Sequence, residues 1–248
     1  MHVSINTAVF IHEIQAGASQ LVCLKGLTDR NVDNIEVRGE LLNEATKNEE
    51  MKQIFLLCAD NDWKFFYSIP EELFLKNTIN PNFEQHLQMA EKYHVDQLKI
   101  SLGDLSEIAE EQFEDVKDLL AKYDVKVTIE NQPNNNGVLD TFTSQLLKLK
   151  EADVPVGYTF DSGNWYWVYE DPVDAFKNLS EDITVFHLKD IKDKETVLLD
   201  EGATDWKCLV KNLKSDVPVF LEYEISEKDL DGQIQKVNNL LAERVAEA

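Results

Sequence analysis

Cysteine, glycine, proline and positive charge are all scarce in this chain. The three cysteines, Cys23, Cys58 and Cys208, share no paired spacing and fall in helix-like segments, which argues against a disulfide framework and suits a reducing compartment. Nine glycines and six prolines form no Gly/Ser-rich linker and no low-complexity segment. No Gly-rich loop follows the first strand-like run, where a doubly wound nucleotide-binding sheet usually carries one. Lysine and arginine number 24 against 47 aspartates and glutamates, a net charge of −23, with the acids spread along most of the chain. Such a surface repels phosphate backbones and anionic lipid, so neither nucleic acid nor membrane is an expected partner. The apolar run Val3 to Phe10 is too short to span a bilayer and lacks the flanks of a signal peptide. A cytoplasmic location is the expectation.

What the chain does contain is an apolar fraction of 43% in 248 residues, enough for one sizeable core. Strand-like runs occur at Val3–Phe10, Asn34–Arg38, Lys64–Ser68 (closed by Pro70), Gln97–Leu102, Val125–Glu130, Pro155–Asp161, Ile183–His187 and Pro218–Glu224. Helix-like stretches fall between them at Gln15–Thr28, Asn48–Asp60, Asn82–Tyr93, Ser106–Tyr123, Thr141–Ala152, from Pro172, Asp205–Leu213 and from Lys228. Eight strand–helix alternations imply parallel strands with helices outside, and that number suggests closure into a single (β/α)8 barrel over residues 1–248.

Strand parity supports closure. Successive side chains alternate faces, and in each strand the apolar set opposes a polar one. Val125, Val127 and Ile129 oppose Lys126, Thr128 and Glu130; Ile35 and Val37 oppose Glu36 and Arg38; Leu98 and Ile100 oppose Lys99 and Ser101. The polar sets face inward, which is costly unless they are paired or bind something. The last four strands also end alike, delivering Glu130, Asp161, His187 and Glu222 to the carboxyl end of the sheet. Three carboxylates and an imidazole form a mixed O/N donor set suited to one divalent cation, Mn²⁺, Mg²⁺, Co²⁺ or Zn²⁺, with no thiolate to select among them.

These strand ends resemble those of the xylose isomerase-like barrels, the sugar (phosphate) isomerase/epimerase superfamily. The resemblance is carried by Ile129-Glu-Asn131, Phe160-Asp-Ser-Gly-Asn-Trp165 and Phe186-His-Leu-Lys-Asp190. Gly202-Ala-Thr-Asp-Trp206 and Ile35-Glu-Val-Arg-Gly-Glu-Leu41 are similar to further family runs. It implies a TIM barrel in which Glu130, Asp161, His187 and Glu222 ligate the metal and Glu130 and Glu222 also serve as catalytic acid and base. The implied reaction is proton removal beside a carbonyl through a metal-stabilised enediolate on a small carbohydrate-like substrate, a sugar, sugar phosphate or polyol ketone. A dehydratase of an inosose- or dehydroshikimate-type substrate and a non-catalytic ligand-sensing barrel are the alternatives, and a homodimer is compatible with any of them.

Arg38, Glu40, Lys99, Asn164, Trp165 and Lys189 are the candidate substrate contacts, with an Arg38–Glu40 ion pair as the structural alternative for those two. Trp63 and Trp167 are further candidates for an apolar pocket wall, and Asp190 for orienting His187 or a loop. His12, His86 and His94 are read as surface or core residues. Two positions depart from the resemblance: Asn164 stands where several epimerases carry a substrate-binding His, and no Arg follows the seventh strand, Lys192 being the nearest cation. The nuclease branch of the same barrel needs more His ligands and a basic groove, whereas this chain has five His and a charge of −23. Homogeneous protein is therefore expected neither to retain nor to incise abasic duplex DNA in a gel assay; incision abolished by Glu130→Gln would overturn that expectation.

Overall fold

Alternation along each strand gives a sheet with two unlike faces, and wrapping it into a cylinder puts the polar face inside. In the computed structural model, which describes residues 1–247, eight strands pair in parallel into a closed barrel. Its first seven strands are β1 (Ser4–Asn6), β2 (Asn34–Arg38), β3 (Lys64–Leu75), β4 (Gln97–Asp104), β5 (Lys126–Glu130), β6 (Gly157–Asp161) and β7 (Ile183–Leu188). A hairpin of β8 (Asp190–Lys192) and β9 (Glu195–Val197) comes next, and β10 (Val219–Leu221) closes the barrel by pairing with both β7 and β1. The outer layer is α1 (Ile11–Gln15), α2 (Gln20–Lys25), α3 (Lys47–Asp60), α4 (Phe83–Lys92), α5 (Glu110–Lys122), α6 (Leu139–Glu151), α7 (Pro172–Leu179), α8 (Trp206–Asn212) and α9 (Glu227–Glu247).

The main core lies between sheet and helices. Ile35, Val37, Leu98, Ile100, Val127 and Ile129 point outward and are buried. They meet helical stripes at three- and four-residue spacing: Phe83, Leu87 and Ala90 on α4, Phe113, Val116 and Leu120 on α5, Phe142, Leu146 and Leu149 on α6. A separate apolar cluster, Phe66, Val185 and Phe220, plugs the inside of the barrel. The ring of Phe220 lies edge-on to the imidazole of His187 at 5.8 Å between centroids. The site therefore has an apolar floor rather than a water-filled channel.

Several boundaries differ from the sequence reading, each for a local reason. The first strand stops at Asn6, whose side chain accepts from Ala8 N and starts a 3-10 turn over Thr7–Phe10. Of the long helix expected at Gln15–Thr28 only Gln20–Lys25 is α-helical; Gly17 (φ +104°) separates it from the short helix that ends at Gln15. The third strand does not close at Pro70 but continues to Leu75, with a register shift between Ser68 and Glu72 where proline lacks the ladder N–H. The fifth helix begins at Glu110 rather than Ser106, because Ser106 N bonds Asp104 Oδ1 in a turn and Gln112 Oε1 caps Ala109 N. The eighth strand is only Val219–Leu221, which leaves Glu222 just beyond it. The hairpin after β7 was not expected; it turns through Asp193 and Lys194, both at positive φ (52° and 64°).

Among the described residues no helix is long and apolar enough to cross a membrane, and Cys23, Cys58 and Cys208 are unpaired. Phe220→Ala should remove the floor and lower stability by about 3–5 kcal/mol in urea unfolding. A loss below about 1 kcal/mol would show that the interior cluster is not part of the folding core.

Candidate metal centre

Consecutive strands of one barrel place their last inward residues side by side. Asp161 on β6 pairs in register with His187 on β7, His187 with Phe220 on β10, and Glu130 at the end of β5 with Ser101 on β4. Glu222 follows β10 and donates its backbone N–H to Leu188 O at 3.3 Å. One ligand atom from each of Glu130, Asp161, His187 and Glu222 lies within 4.8 Å of the others, and all four residues are buried. The same four were chosen from the sequence, and the fold brings them together.

Each donor has an inner and an outer side. Glu130 Oε2 accepts from Lys99 Nζ at 2.7 Å while Oε1 faces His187 Nδ1 at 3.1 Å. Asp161 Oδ1 accepts the backbone N–H groups of Gly163 and Asn164 at 2.8 and 3.0 Å. Glu222 Oε1 accepts from Arg38 at 3.0 Å and Asn6 Nδ2 at 3.3 Å. On the far side of His187, Nε2 meets Glu36 Oε2 at 3.2 Å. Outer atoms are thus held by the protein, and Glu130 Oε1, Asp161 Oδ2, His187 Nδ1 and Glu222 Oε2 converge. Lys189 Nζ also reaches this inner set, 2.6 Å from Asp161 Oδ2 and 3.0 Å from Glu222 Oε2.

The donor set fits a divalent cation on two further grounds. Glu222 Oε2 is buried and accepts no well-directed hydrogen bond, although His187 Nδ1 at 2.8 Å and Lys189 Nζ are close by. Among the described residues, the ion-pair network contains the carboxylates of Glu36, Glu40, Glu130, Asp161 and Glu222 but only Arg38, Lys99 and Lys189 as fixed cations. A His187 that ligates a metal does so as the neutral imidazole, and five carboxylates against three cations then leave a deficit that one 2+ ion cancels.

The family model for the xylose isomerase-like TIM barrel matches residues 31–243. The chain belongs to that family. No curated protein matches it in sequence. Solved structures of similar fold include the probable 3-DHS dehydratase AsbF of Bacillus anthracis, at 16% identity and TM-score 0.71 over 98% of this chain and 99% of that one. A D-tagatose 3-epimerase-like protein is 17% identical, TM-score 0.69, over 99% and 97% of the two chains. A family 2 AP endonuclease of Brucella melitensis is 12% identical, TM-score 0.65, over 93% and 96%. At such identities the likeness is one of fold.

In this xylose isomerase-like barrel, the motif residues around the donors mostly hold backbone. Asn131 accepts from Asp161 N and Tyr158 Oη at 2.9 and 3.0 Å and donates to Asp161 O at 3.1 Å, clamping β5 to β6. Asn164 donates to Asn131 O at 2.8 Å and so ties two ligand loops together. A Cβ on Gly163 would come within 2.8 Å of the Lys189 stem, which is why the Asp-Ser-Gly-Asn turn needs glycine there. Asp190 does not touch His187; it accepts the N–H groups of Asp200, Gly202 and Thr204 at 2.9–3.0 Å and pins the loop before α8.

Trp165, expected to wall a substrate pocket, is fully buried against Phe142 and Phe160, with ring centroids 6.2 and 5.6 Å away. It belongs to the core because the 3-10 turn Asn164–Val168 folds it back over α6. Trp63 is likewise a core residue, whereas Trp167 is 37% exposed. Arg38 lies in the expected ion pair with Glu40 at 2.6 Å while also reaching Glu222. His12 and His94 are exposed and His86 pairs with Glu71 away from the donors. Two contributors were missed: Glu36 and Asn6. Glu36 carried a signal, inward parity on β2; Asn6 had none, because it sits where the first strand ends earlier than its pattern suggests.

Burial raises the Glu130 carboxyl, but Lys99 and His187 outweigh it and hold the group at about 2. Glu222 is also held low, burial being overcome by His187 and Lys189. Asp161 is pushed up by burial despite Lys189. Burial lowers His187, yet Glu222, Glu36 and Glu130 raise it well above its ordinary value. Because Glu130 titrates below its ordinary 4.5, the stability it contributes is complete above that value and lost as pH falls toward about 2. Glu130→Gln leaves Lys99 buried beside a neutral amide. In chelator-treated protein it should cost about 3 kcal/mol at neutral pH, a gap that closes as the solution is acidified. Urea unfolding of both proteins at neutral and acid pH measures it, and a gap independent of pH would contradict the charge pairing.

Proposed function

We propose that this barrel is a divalent-metal-dependent isomerase or epimerase that moves a proton on the carbon next to a carbonyl of a sugar, sugar phosphate or related polyol ketone. The observation that carries the reading is the pair Glu130 and Glu222. They stand at the two ends of the arc formed by β5, β6, β7 and β10. Each has one oxygen anchored by a cation on its own side, Lys99 for Glu130 and Arg38 for Glu222. Two carboxylates on either side of a substrate are what proton removal from one face and return to the same or opposite face requires.

Glu130, Asp161, His187 and Glu222 would hold Mn²⁺, Mg²⁺, Co²⁺ or Zn²⁺, which would supply Lewis-acid polarisation of a substrate oxygen. Glu130 and Glu222 are ionised at neutral pH, the state a base needs before it accepts a proton. Lys99 and Arg38 keep the two carboxylates from rotating, so the proton-carrying oxygen keeps its direction. Lys189, partly buried and charged beside Asp161, is available to an oxyanion that develops on the substrate. Arg38 and Glu40 are the more exposed polar groups of the network and the natural contacts for substrate hydroxyls. The apolar floor of Phe66, Val185 and Phe220 excludes water from below. The epimerase-like relative named above supports the reading at the level of fold.

Lys189 also favours a second reading. An ammonium beside the enolising centre can protonate a departing β-hydroxyl, which would make the protein a dehydratase, the reaction in the name of the Bacillus anthracis relative. Incubation with Mn²⁺ and a panel of ketoses and cyclic hydroxyketones in D₂O separates the two. Deuterium at the α-carbon without loss of water supports the isomerase, an enone chromophore supports the dehydratase, and neither with any substrate overturns both in favour of a binding protein. On the substrate so identified, Glu130→Gln and Glu222→Gln should each slow turnover by about 10²–10⁴-fold at matched metal occupancy. Turnover near wild type in either variant would place the acid and base elsewhere.

A further inference from the structure

Among the described residues Glu36 is the one carboxylate inside the barrel that has no lysine or arginine at ion-pair distance. It lies at the middle of β2, fully buried, with Asn6 and Phe66 as its register partners on β1 and β3. A carboxylate in that position costs several kcal/mol unless directed donors replace its water. Its two oxygens meet two groups. Oε1 accepts from Asn6 Nδ2 at 2.6 Å, and Oε2 faces His187 Nε2 at 3.2 Å. The Asn6 amide cannot turn over, because its oxygen accepts from Ala8 N at 2.8 Å. Glu36 is thus held rigidly from one side and presents its other oxygen to the imidazole.

The opposite ring nitrogen faces a different environment. His187 Nδ1 has Glu130 Oε1 at 3.1 Å and Glu222 Oε2 at 2.8 Å, both acceptors. Between acceptors on both sides the ring has a partner for a proton on either nitrogen, and ligating a cation through Nδ1 requires that the Nδ1 proton leave while the one on Nε2 stays. With the proton on Nε2 the ring donates to Glu36, and the Nδ1 lone pair joins the inner oxygens of Glu130, Asp161 and Glu222.

We propose that Glu36 is a positioning residue: it fixes His187 as the Nε2–H tautomer from across the barrel, aims Nδ1 into the donor set and strengthens it as a ligand. The relay runs Ala8 N–H, Asn6, Glu36, His187, so strand two controls a donor on strand seven. This rests on reading the four convergent donors as a metal site. A carboxylate that accepts the far N–H of a ligating imidazole makes that ring a stronger donor, and loss of such a partner typically weakens metal binding 10–100-fold.

The test uses the full chain, labelled with ¹⁵N-histidine and loaded with Zn²⁺, whose closed shell permits NMR. Long-range ¹H–¹⁵N spectra should show His187 protonated at Nε2, and competition with a chromophoric chelator gives the Zn²⁺ affinity. Glu36→Leu should weaken Zn²⁺ binding roughly 10–100-fold and move the His187 Nε2–H resonance. Glu36→Gln keeps an acceptor oxygen without its charge and should fall between Glu36→Leu and wild type; it carries the test if the leucine variant does not fold. A structural role alone would lower the melting temperature without moving the resonance. Wild-type Zn²⁺ affinity, or an unmoved His187 resonance, in the folded variants would overturn the proposal. Failure of wild-type protein itself to bind Zn²⁺ through His187 would instead remove the metal reading beneath it.

Discussion

Burying an ionised carboxylate costs several kcal/mol unless a countercharge or directed donors replace the water it loses, and the mouth of this barrel buries Glu36, Glu130, Asp161 and Glu222 together. Everything near them follows from that requirement. Lys99, Lys189 and Arg38 come in from β4, from the loop after β7 and from the end of β2 to pair with them. Where no side-chain cation holds the outer oxygen, backbone N–H groups do, as in the turn at Gly163 and Asn164 below Asp161. The arrangement remains short of positive charge at its centre. That shortage is the physical reason to regard the cluster as a cation site rather than as an inert set of ion pairs.

The loops that carry the motif residues serve this geometry more than they serve a ligand. Asn131 and Asn164 tie the β5 and β6 ends to each other, which fixes the spacing of Glu130 and Asp161. Asp190 gathers three backbone N–H groups from the segment before α8; a Cβ at Gly202 would lie 2.1 Å from its carboxylate, which accounts for the glycine in that run. Beneath the donors, Phe220 and its neighbours fill the barrel interior with apolar side chains, and the low polarity of that floor strengthens the charge interactions above it. The donors are thus held on a firm frame over an apolar floor, with the remaining charge deficit confined to their centre.

Much of this was legible in the sequence because a barrel repeats one simple unit. Strand parity in β2, β4 and β5 separates an outward apolar set from an inward polar one, and the regular recurrence of strand and helix leaves few architectures open. The same periodicity brings Glu130, Asp161, His187 and Glu222 to one end of one sheet, since the last inward residue of each consecutive parallel strand must lie beside its neighbour's. The seven-residue strand–turn pattern from Ile35 to Leu41 and the runs after β5, β6 and β7 needed no tertiary contact to be noticed.

What parity does not carry is distance across the barrel. Glu36 and His187 are 151 positions apart, and nothing local in either strand says that the two side chains meet over the interior. Trp165 is an instance of the opposite kind: its position after a ligand strand suggests a pocket wall, yet a 3-10 turn sends it into the core. The extension of β3 through Pro70 and the hairpin after β7 escaped notice because pairing across strands overrides local propensity. By itself, then, the chain determined the architecture and which residue types reach the mouth, because both follow from the period of a strand. Which side chain holds which was decided only by closure of the barrel, because a hydrogen bond or ion pair depends on separations of about 3 Å that a pattern along one strand does not encode.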